Sequence, residues 1–142
     1  MATIERHVTR DLVALDGETT CAAAARRMAE QGIGSVAVRV QGRCIGLVTE
    51  RDLVYEVMAR GGDTAKSLGE VMRNDRPSVT ASATERDCAY LMQKHQTRHL
   101  LVKKDAEVVG VISMLDVLSL MLEDNRFLIE QLHTYIRGGR GG

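Results

Sequence analysis

Short apolar runs and amphipathic stretches alternate along the chain, and their order is written twice. The first copy opens on Leu12-Val13-Ala14-Leu15, an apolar run too short for a helix and predicted as a strand. Thr20 precedes an Ala-rich stretch from Cys21 to Gln31, which Gly32 ends; a hydroxyl before and a glycine after mark a helix. Ser35-Val36-Ala37-Val38 and the run from Cys44 to Val48 flank a polar turn at Gln41-Gly42-Arg43 and predict a hairpin. A second helix starts at Thr49. The later copy repeats this as Pro77-Ser78-Val79-Thr80, a helix from Glu85 to His95 after Thr84, His99-Leu100-Leu101-Val102, a turn at Asp105-Ala106-Glu107, a strand from Val108 to Ile112 and a helix from Ser113.

The copies lie 64 positions apart with no gap. Gly46-Leu47-Val48-Thr49-Glu50-Arg51-Asp52 recurs as Gly110-Val111-Ile112-Ser113-Met114-Leu115-Asp116, and Asp11, Thr20, Ala25, Met28 and Val38 recur as Asp75, Thr84, Ala89, Met92 and Val102. Two copies are too few for a solenoid but suit a closed pair in which each half covers the other's apolar face. The expected fold is α/β (α+β): two β-α-β-β-α units packed about a pseudo-twofold axis, plus a C-terminal helix. The first unit covers residues 5–60, a linker 61–67, the second unit 68–123, a helical extension 124–137 and a disordered tail 138–142. The last helix of the second half is expected to run on into this extension: Leu118, Met121, Leu122, Leu128, Leu132 and Ile136 recur at steps of three or four, with irregularities near Asp124-Asn125. That helix carries more apolar surface than a free helix should expose, so it is expected to pack on a partner subunit, or else back on its own domain.

Composition changes this picture little. The chain has 142 residues, enough for one ordinary core, and aromatic residues are only 3 %, so the core is aliphatic. The 19 basic and 19 acidic residues balance, which argues against nucleic acid as a partner. No apolar run is long enough for a membrane span, and the N-terminus lacks a secretory pattern. Cys21, Cys44 and Cys88 are scattered, with no metal-ligand spacing, as reduced cysteines in a cytoplasmic protein would be. His7, His95 and His133 stand alone and read as surface or packing residues, and Lys103-Lys104 as a solvated hairpin.

The chemistry lies in Gly-x-x-Thr/Ser-x-x-Asp at a strand-to-helix junction. In one reading Thr49 and Ser113 are N-caps, and Asp52 and Asp116 complete capping boxes. In the other, hydroxyl and carboxylate face a ligand. An ionised Asp only accepts hydrogen bonds, so it can take both vicinal hydroxyls of a ribose, and the first helical turn favours a nearby phosphate. Capping boxes more often use Glu or Gln, whereas both copies here use Asp.

Gly32-Ile33-Gly34-Ser35-Val36-Ala37-Val38 followed by Gly46-Leu47-Val48-Thr49-Glu50-Arg51-Asp52-Leu53 resembles a cystathionine-β-synthase (CBS) motif. Thr97-Arg98-His99-Leu100-Leu101-Val102 followed by Gly110-Val111-Ile112-Ser113-Met114-Leu115-Asp116 resembles a second, and Val71-Met72-Arg73 its lead-in. The likeness covers residues 5 to 123, and the segment from Asn125 to Ile136 is similar to the last helix of free-standing bacterial CBS pairs. The resemblance implies a regulatory module that binds an adenosine nucleotide in clefts between the two motifs and catalyses nothing. AMP is the first expectation, with ATP, ADP, NAD(H) or S-adenosylmethionine as alternatives, in a disc-like homodimer or a higher oligomer. It further implies ribose binding by Thr49, Asp52, Ser113 and Asp116. Phosphate would fall to Arg51, Arg98 and His99, and adenine to backbone groups around Val13, Ile33, Leu47, Pro77, Thr97 and Val111. Arg51 also reads as a solvated surface residue, and Arg98 and His99 as plain edge-strand residues.

Two departures stand out. Met114-Leu115 replaces Glu50-Arg51, so the second half is the poorer phosphate site, and Ala37 and Leu101 stand where the family often has Pro. Two other functions compete. An enzyme is disfavoured: no Ser/His/Asp set, metal cluster, phosphate-loop lysine or paired catalytic carboxylates is legible, and Asp52 and Asp116 are repeat equivalents. A ligand-free interaction scaffold, in which the motifs only cap helices, is the alternative.

Overall fold

The hydroxyl residues before each apolar stretch cap the helices that follow. Thr20 accepts a hydrogen bond from the Ala23 amide at the start of α1 (Cys21–Gln31), and Thr84 forms a full capping box with Asp87 at the start of α4 (Glu85–His95). Gly32 ends α1 in the left-handed region at φ 63°, donating back to the carbonyls of Met28 and Ala29. Gln96 does the same for α4 at φ 49°, and no sequence signal marked it. A computed structural model describes residues 3–141, with side chains over 3–136.

Two three-stranded sheets result. The first has β1 (Ala14–Asp16) parallel to β2 (Ser35–Val40), which pairs antiparallel with β3 (Arg43–Thr49). The second has β4 (Ser78–Val79), β5 (His99–Lys104) and β6 (Glu107–Ser113) in the same order. Both hairpins shift register at one step, between Val38 and Arg39 and between Val102 and Lys103, again 64 positions apart. The hairpins lie where expected and reach one or two residues further. The leading strands are shorter and shifted: β1 starts at Ala14, while Leu12 packs on the cluster between the sheets. β4 starts only after Pro77, which has no amide to give the ladder. Helix α2 (Glu50–Glu56) follows β3, and α3 (Leu68–Val71), capped by Ser67, closes the linker.

Each half has its own aliphatic core. Val36, Val38, Val48, Ala24 and Met28 fill one; Leu100, Val102, Ile112, Cys88 and Met92 fill the other. Leu47, Leu101, Val108 and Val111 form a third cluster where the sheets meet. The leading segments are exchanged. Ile4, fully buried, belongs to the second core, and the Thr9 amide donates to the Val111 carbonyl at 2.9 Å. Leu68 and Val71 belong to the first core, and the Leu68 amide donates to the Thr19 carbonyl at 2.9 Å. Neither half is therefore complete without the other's lead-in.

This exchange explains the glycine that opens both motifs. A Cβ on Gly46 would collide with Met72, and one on Gly110 with Val8 and, at 2.9 Å, the Thr9 carbonyl oxygen. Val8 and Met72 are themselves 64 positions apart, so the same close crossing occurs twice.

Helix α5 runs unbroken over Met114–Gly141. The polar step at Asp124-Asn125 does not interrupt it, so the last helix of the second half runs on through 124–137. Asp and Asn lower helix propensity only slightly, and a break needs Pro, Gly or an inserted group. The tail 138–142 has side chains outside the described residues, and Gly142 lies outside them entirely. Among the described residues no helix is long and apolar enough to cross a membrane.

Where α4 meets α5 the packing leaves Glu85 buried, with its Oε2 lacking a hydrogen-bond partner. Burial, and then the neighbouring Asp124 carboxyl, push its acid up from 4.5 to about 7. The folded chain thus holds a proton there that the unfolded chain releases. The resulting stabilisation is fully present below about pH 4.5 and is lost as pH rises through about 7. Glu85→Gln should therefore raise the urea midpoint at pH 8 and change it little at pH 5. An equal change at both pH values would rule this out.

Candidate functional site

The end of β3 and the first turn of α2 set Thr49 and Asp52 side by side. The Thr49 amide donates to Asp52 Oδ2 at 2.9 Å, and the Asp52 amide donates to Thr49 Oγ1 at 3.1 Å. The capping reading of this motif is thus realised in full. Ser113 and Asp116 repeat it, with the Ser113 amide and hydroxyl both donating to Asp116 Oδ2 at 2.8 Å. Capping does not exclude a ligand, since a carboxylate has further lone pairs to offer.

Asp52 faces a cleft of about 320 Å³ formed between the two halves. From the first half come Thr49, Glu50, Arg51, Asp52, Tyr55 and Glu56. From the second come Arg73 and Arg76 ahead of β4, and His95 to His99 between α4 and β5. The expected residues Thr49, Arg51, Asp52, Thr97, Arg98 and His99 therefore share one cleft. Arg51 lies 4.9 Å from the Tyr55 ring centre in a cation–π contact. Arg98 is exposed and makes no ion pair among the described residues. Burial, reinforced by the charge of Arg76, holds His99 below the usual imidazole range, so it is largely neutral near pH 7.

The centre of this cleft is a residue that sequence reasoning missed. Arg76 Nη2 donates to Asp52 Oδ2 at 2.8 Å, and Arg76 Nη1 donates to Thr97 Oγ1 at 3.2 Å. The two charged side chains are 4 % and 6 % exposed, so this is a buried ion pair joining the halves. Burial pulls the guanidinium down and Asp52 pushes it back. Arg76 Nε is buried without any partner. A signal existed: Arg76 falls 64 positions after Leu12, so an apolar position of the repeat is a cation in one copy. Arg73, also missed in this role, is held by Asp75 through Nε and Nη2 at 3.1 and 3.3 Å.

The second copy builds a lesser cleft of about 190 Å³, lined by Thr9, Leu12, Ser35, His99, Val111, Ser113 and Asp116. Here Thr9 and Leu12 stand where the first cleft has Arg73 and Arg76, and Ser35 where it has His99. No Lys or Arg is among the lining residues. Four expected adenine-side residues line neither cleft. Leu47 is 1 % exposed in the cluster between the sheets. The Val13 and Pro77 carbonyls accept the Ala37 and Leu101 amides in the sheet ladders. Ile33 sits in a separate hollow with Met28, Gly34, Glu50 and Leu53.

Comparison with known proteins matches this arrangement. The family model described as CBS domain matches residues 4–59 and 68–123. The CBS domain-containing protein YhcV of Bacillus subtilis is 26 % identical over 117 residues, covering 82 % of this chain and 84 % of that protein. A solved candidate signal-transduction protein with CBS domains from Burkholderia ambifaria superposes with a TM-score of 0.73 at 29 % identity, over 81 % of this chain and 85 % of the other. The hexameric CBS-CP12 protein from bloom-forming cyanobacteria gives a TM-score of 0.72 at 27 % identity, over 83 % of this chain and 71 % of the other. With both motifs matched and the paired sheets shared with solved relatives, the chain belongs to the CBS domain family and carries two such domains in tandem.

Proposed function

We propose that this chain is a regulatory module that binds a phosphorylated adenosine, AMP first and ATP, ADP or NAD(H) as alternatives, in the cleft at Asp52, and acts by binding alone. The observation that carries this reading is the cleft's chemistry: an acceptor-only carboxylate at a helix N-terminus, ringed by Arg51, Arg98 and His99 from both halves. Asp52 would take the ribose hydroxyls beside Thr49. Arg51, Arg98 and His99 would meet the phosphate, and Thr97 would lie on the adenine side. The cleft has room for one nucleotide, whereas the smaller cleft at Ser113 and Asp116 offers a ribose partner without an Arg or Lys for phosphate. Because both halves line the site, a ligand would draw together groups from each, and binding stabilises whichever arrangement it prefers.

The second reading, a ligand-free scaffold, is favoured by one observation: Arg76 already occupies the Asp52 carboxylate. Titration calorimetry with AMP, ADP, ATP, NAD, NADH and S-adenosylmethionine separates the two. One of the phosphorylated ligands should bind with a stoichiometry near one per chain. Binding should weaken at least about tenfold in Arg98→Ala, the loss expected for one charge-assisted hydrogen bond. Absence of heat with every ligand would leave the scaffold.

We further read α5 as the contact with a second copy of this chain. Leu115, Leu118, Leu122, Ile129, Leu132 and Ile136 alternate in steps of three and four along it, with Asn125 in the same series. All six apolar members are about half exposed or more, whereas Val117 and Leu120 face the second core. A heptad stripe is self-complementary, which suits a symmetric pair. The three thiols, free of disulfides, suit a reducing cytoplasm.

A further inference from the structure

We propose that Arg76 is the anion-reading residue of the Asp52 cleft, an internal counter-ion that exchanges partners when a phosphorylated ligand enters. This rests on the nucleotide reading above. Without ligand, Arg76 Nη2 holds Asp52 Oδ2 at 2.8 Å and Nη1 holds the Thr97 hydroxyl at 3.2 Å. Its Nε has no acceptor and is buried, although the side chain lines the cleft wall. Two nitrogens of a buried guanidinium are thus bonded to residues that line one cleft, and its third nitrogen is left without an acceptor.

The exchange follows from charge. A ribose brings hydroxyl donors to Asp52, which accepts them in place of Arg76. The displaced guanidinium, 4 % exposed, would then be a buried cation without a counter-charge, an arrangement that proteins avoid. A neutral nucleoside offers nothing to replace the lost carboxylate, and a sulfonium nucleoside adds a like charge. A phosphate supplies the missing anion and an acceptor for Nε, in the paired-donor geometry that guanidinium groups favour. The cleft therefore selects the phosphorylated form. The device exists once per chain, because the second cleft has Leu12 at the equivalent place.

The test is titration calorimetry of AMP, adenosine, S-adenosylmethionine and inorganic tripolyphosphate on the wild type, Arg76→Gln and Arg76→Lys, with circular dichroism to confirm folding. In the wild type AMP should bind about a hundredfold tighter than adenosine, about tenfold each from Arg98 and Arg76. In Arg76→Gln that ratio should fall about tenfold, to what Arg98 and its neighbours supply, while adenosine affinity holds or improves, since no ion pair must open. If Arg76→Gln does not fold, Arg76→Lys, which keeps the charge but not the fork, should lower AMP affinity selectively. Equal binding of AMP and adenosine by the wild type overturns the role of Arg76 together with the phosphate roles of Arg51, Arg98 and His99, and leaves an adenosine site only. A ratio that survives unchanged in both variants overturns the role of Arg76 and leaves the nucleotide reading standing. If no adenosine compound binds, the nucleotide reading fails; tripolyphosphate binding that depends on Arg76 would then still support an anion site, and its absence would overturn that too.

Discussion

Replacing Asp52 with alanine should destabilise the fold by about 3–5 kcal/mol, because it leaves Arg76 buried with no counter-charge. At roughly 3 °C per kcal/mol for a chain of this size, the melting temperature should fall by about 10 °C or more. Half of the α2 capping box is lost in the same change, because the Thr49 amide loses its acceptor while the Asp52 amide still donates to Thr49, which adds up to about 1 kcal/mol. Removing both charges should cost far less. Asp52→Leu with Arg76→Met fills similar volume without a stranded ion, and its stability should lie within about 1–2 kcal/mol of the wild type. Urea unfolding of wild type, Asp52→Leu, Arg76→Met and the double variant closes a double-mutant cycle and measures the coupling directly. If the double variant is as unstable as the sum of the singles, the pair is not coupled and the ion-pair account of the cleft is wrong. The control is Arg73→Ala. Arg73 and its partner Asp75 are exposed, so that pair should contribute no more than about 1 kcal/mol.

The second large effect is on assembly. Leu122→Glu with Ile129→Glu puts two charges on the outward stripe of α5, where each residue is more than half exposed in the isolated chain. Neither side chain belongs to a core cluster, so the fold of one chain should survive. In a paired stripe each carboxylate would be buried without a partner. Two central apolar anchors lost together should weaken self-association by at least about a thousandfold. Sedimentation velocity over a range of concentrations is the measurement: wild type associating and the double variant monomeric. A wild type that stays monomeric at high concentration would remove α5 as a self-association surface. Variants that keep the wild-type assembly would place the contact elsewhere on the chain.

The repeat was legible in the sequence because its physical requirements are local. Thr20, Thr49 and Thr84 cap helices through hydroxyls that reach only three residues ahead. The hairpins β2–β3 and β5–β6 are set by alternating apolar runs and short turns. Both structural uses of the motif, as a cap and as a wall of the cleft, could be named from Thr49 and Asp52 alone. The resemblance to CBS motifs added the groups expected opposite, and Thr97, Arg98 and His99 do face Asp52 across the cleft.

The tertiary structure decided what depends on residues far apart in the chain. Arg76 and Asp52 are 24 positions apart, and nothing between them fixes their meeting; it follows from packing one half on the other. The exchanged lead-ins are of the same kind: Ile4 falls just before the expected first unit and Leu68 opens the second, yet each is buried in the core of the other half. The same crossing decides why position 110 must be glycine, with the Thr9 backbone against it, and why a side chain at position 46 would have to displace Met72. The repeat places a cleft at each motif. The sequence marks one inequality, Met114-Leu115 against Glu50-Arg51; packing adds another by bringing Arg73 and Arg76 into one cleft and their counterparts Thr9 and Leu12 into the other. Hydrogen-bond reach and side-chain periodicity are properties of neighbouring residues and so can be read along the sequence. Burial of a charge, and the partner it then requires, belongs to the folded whole.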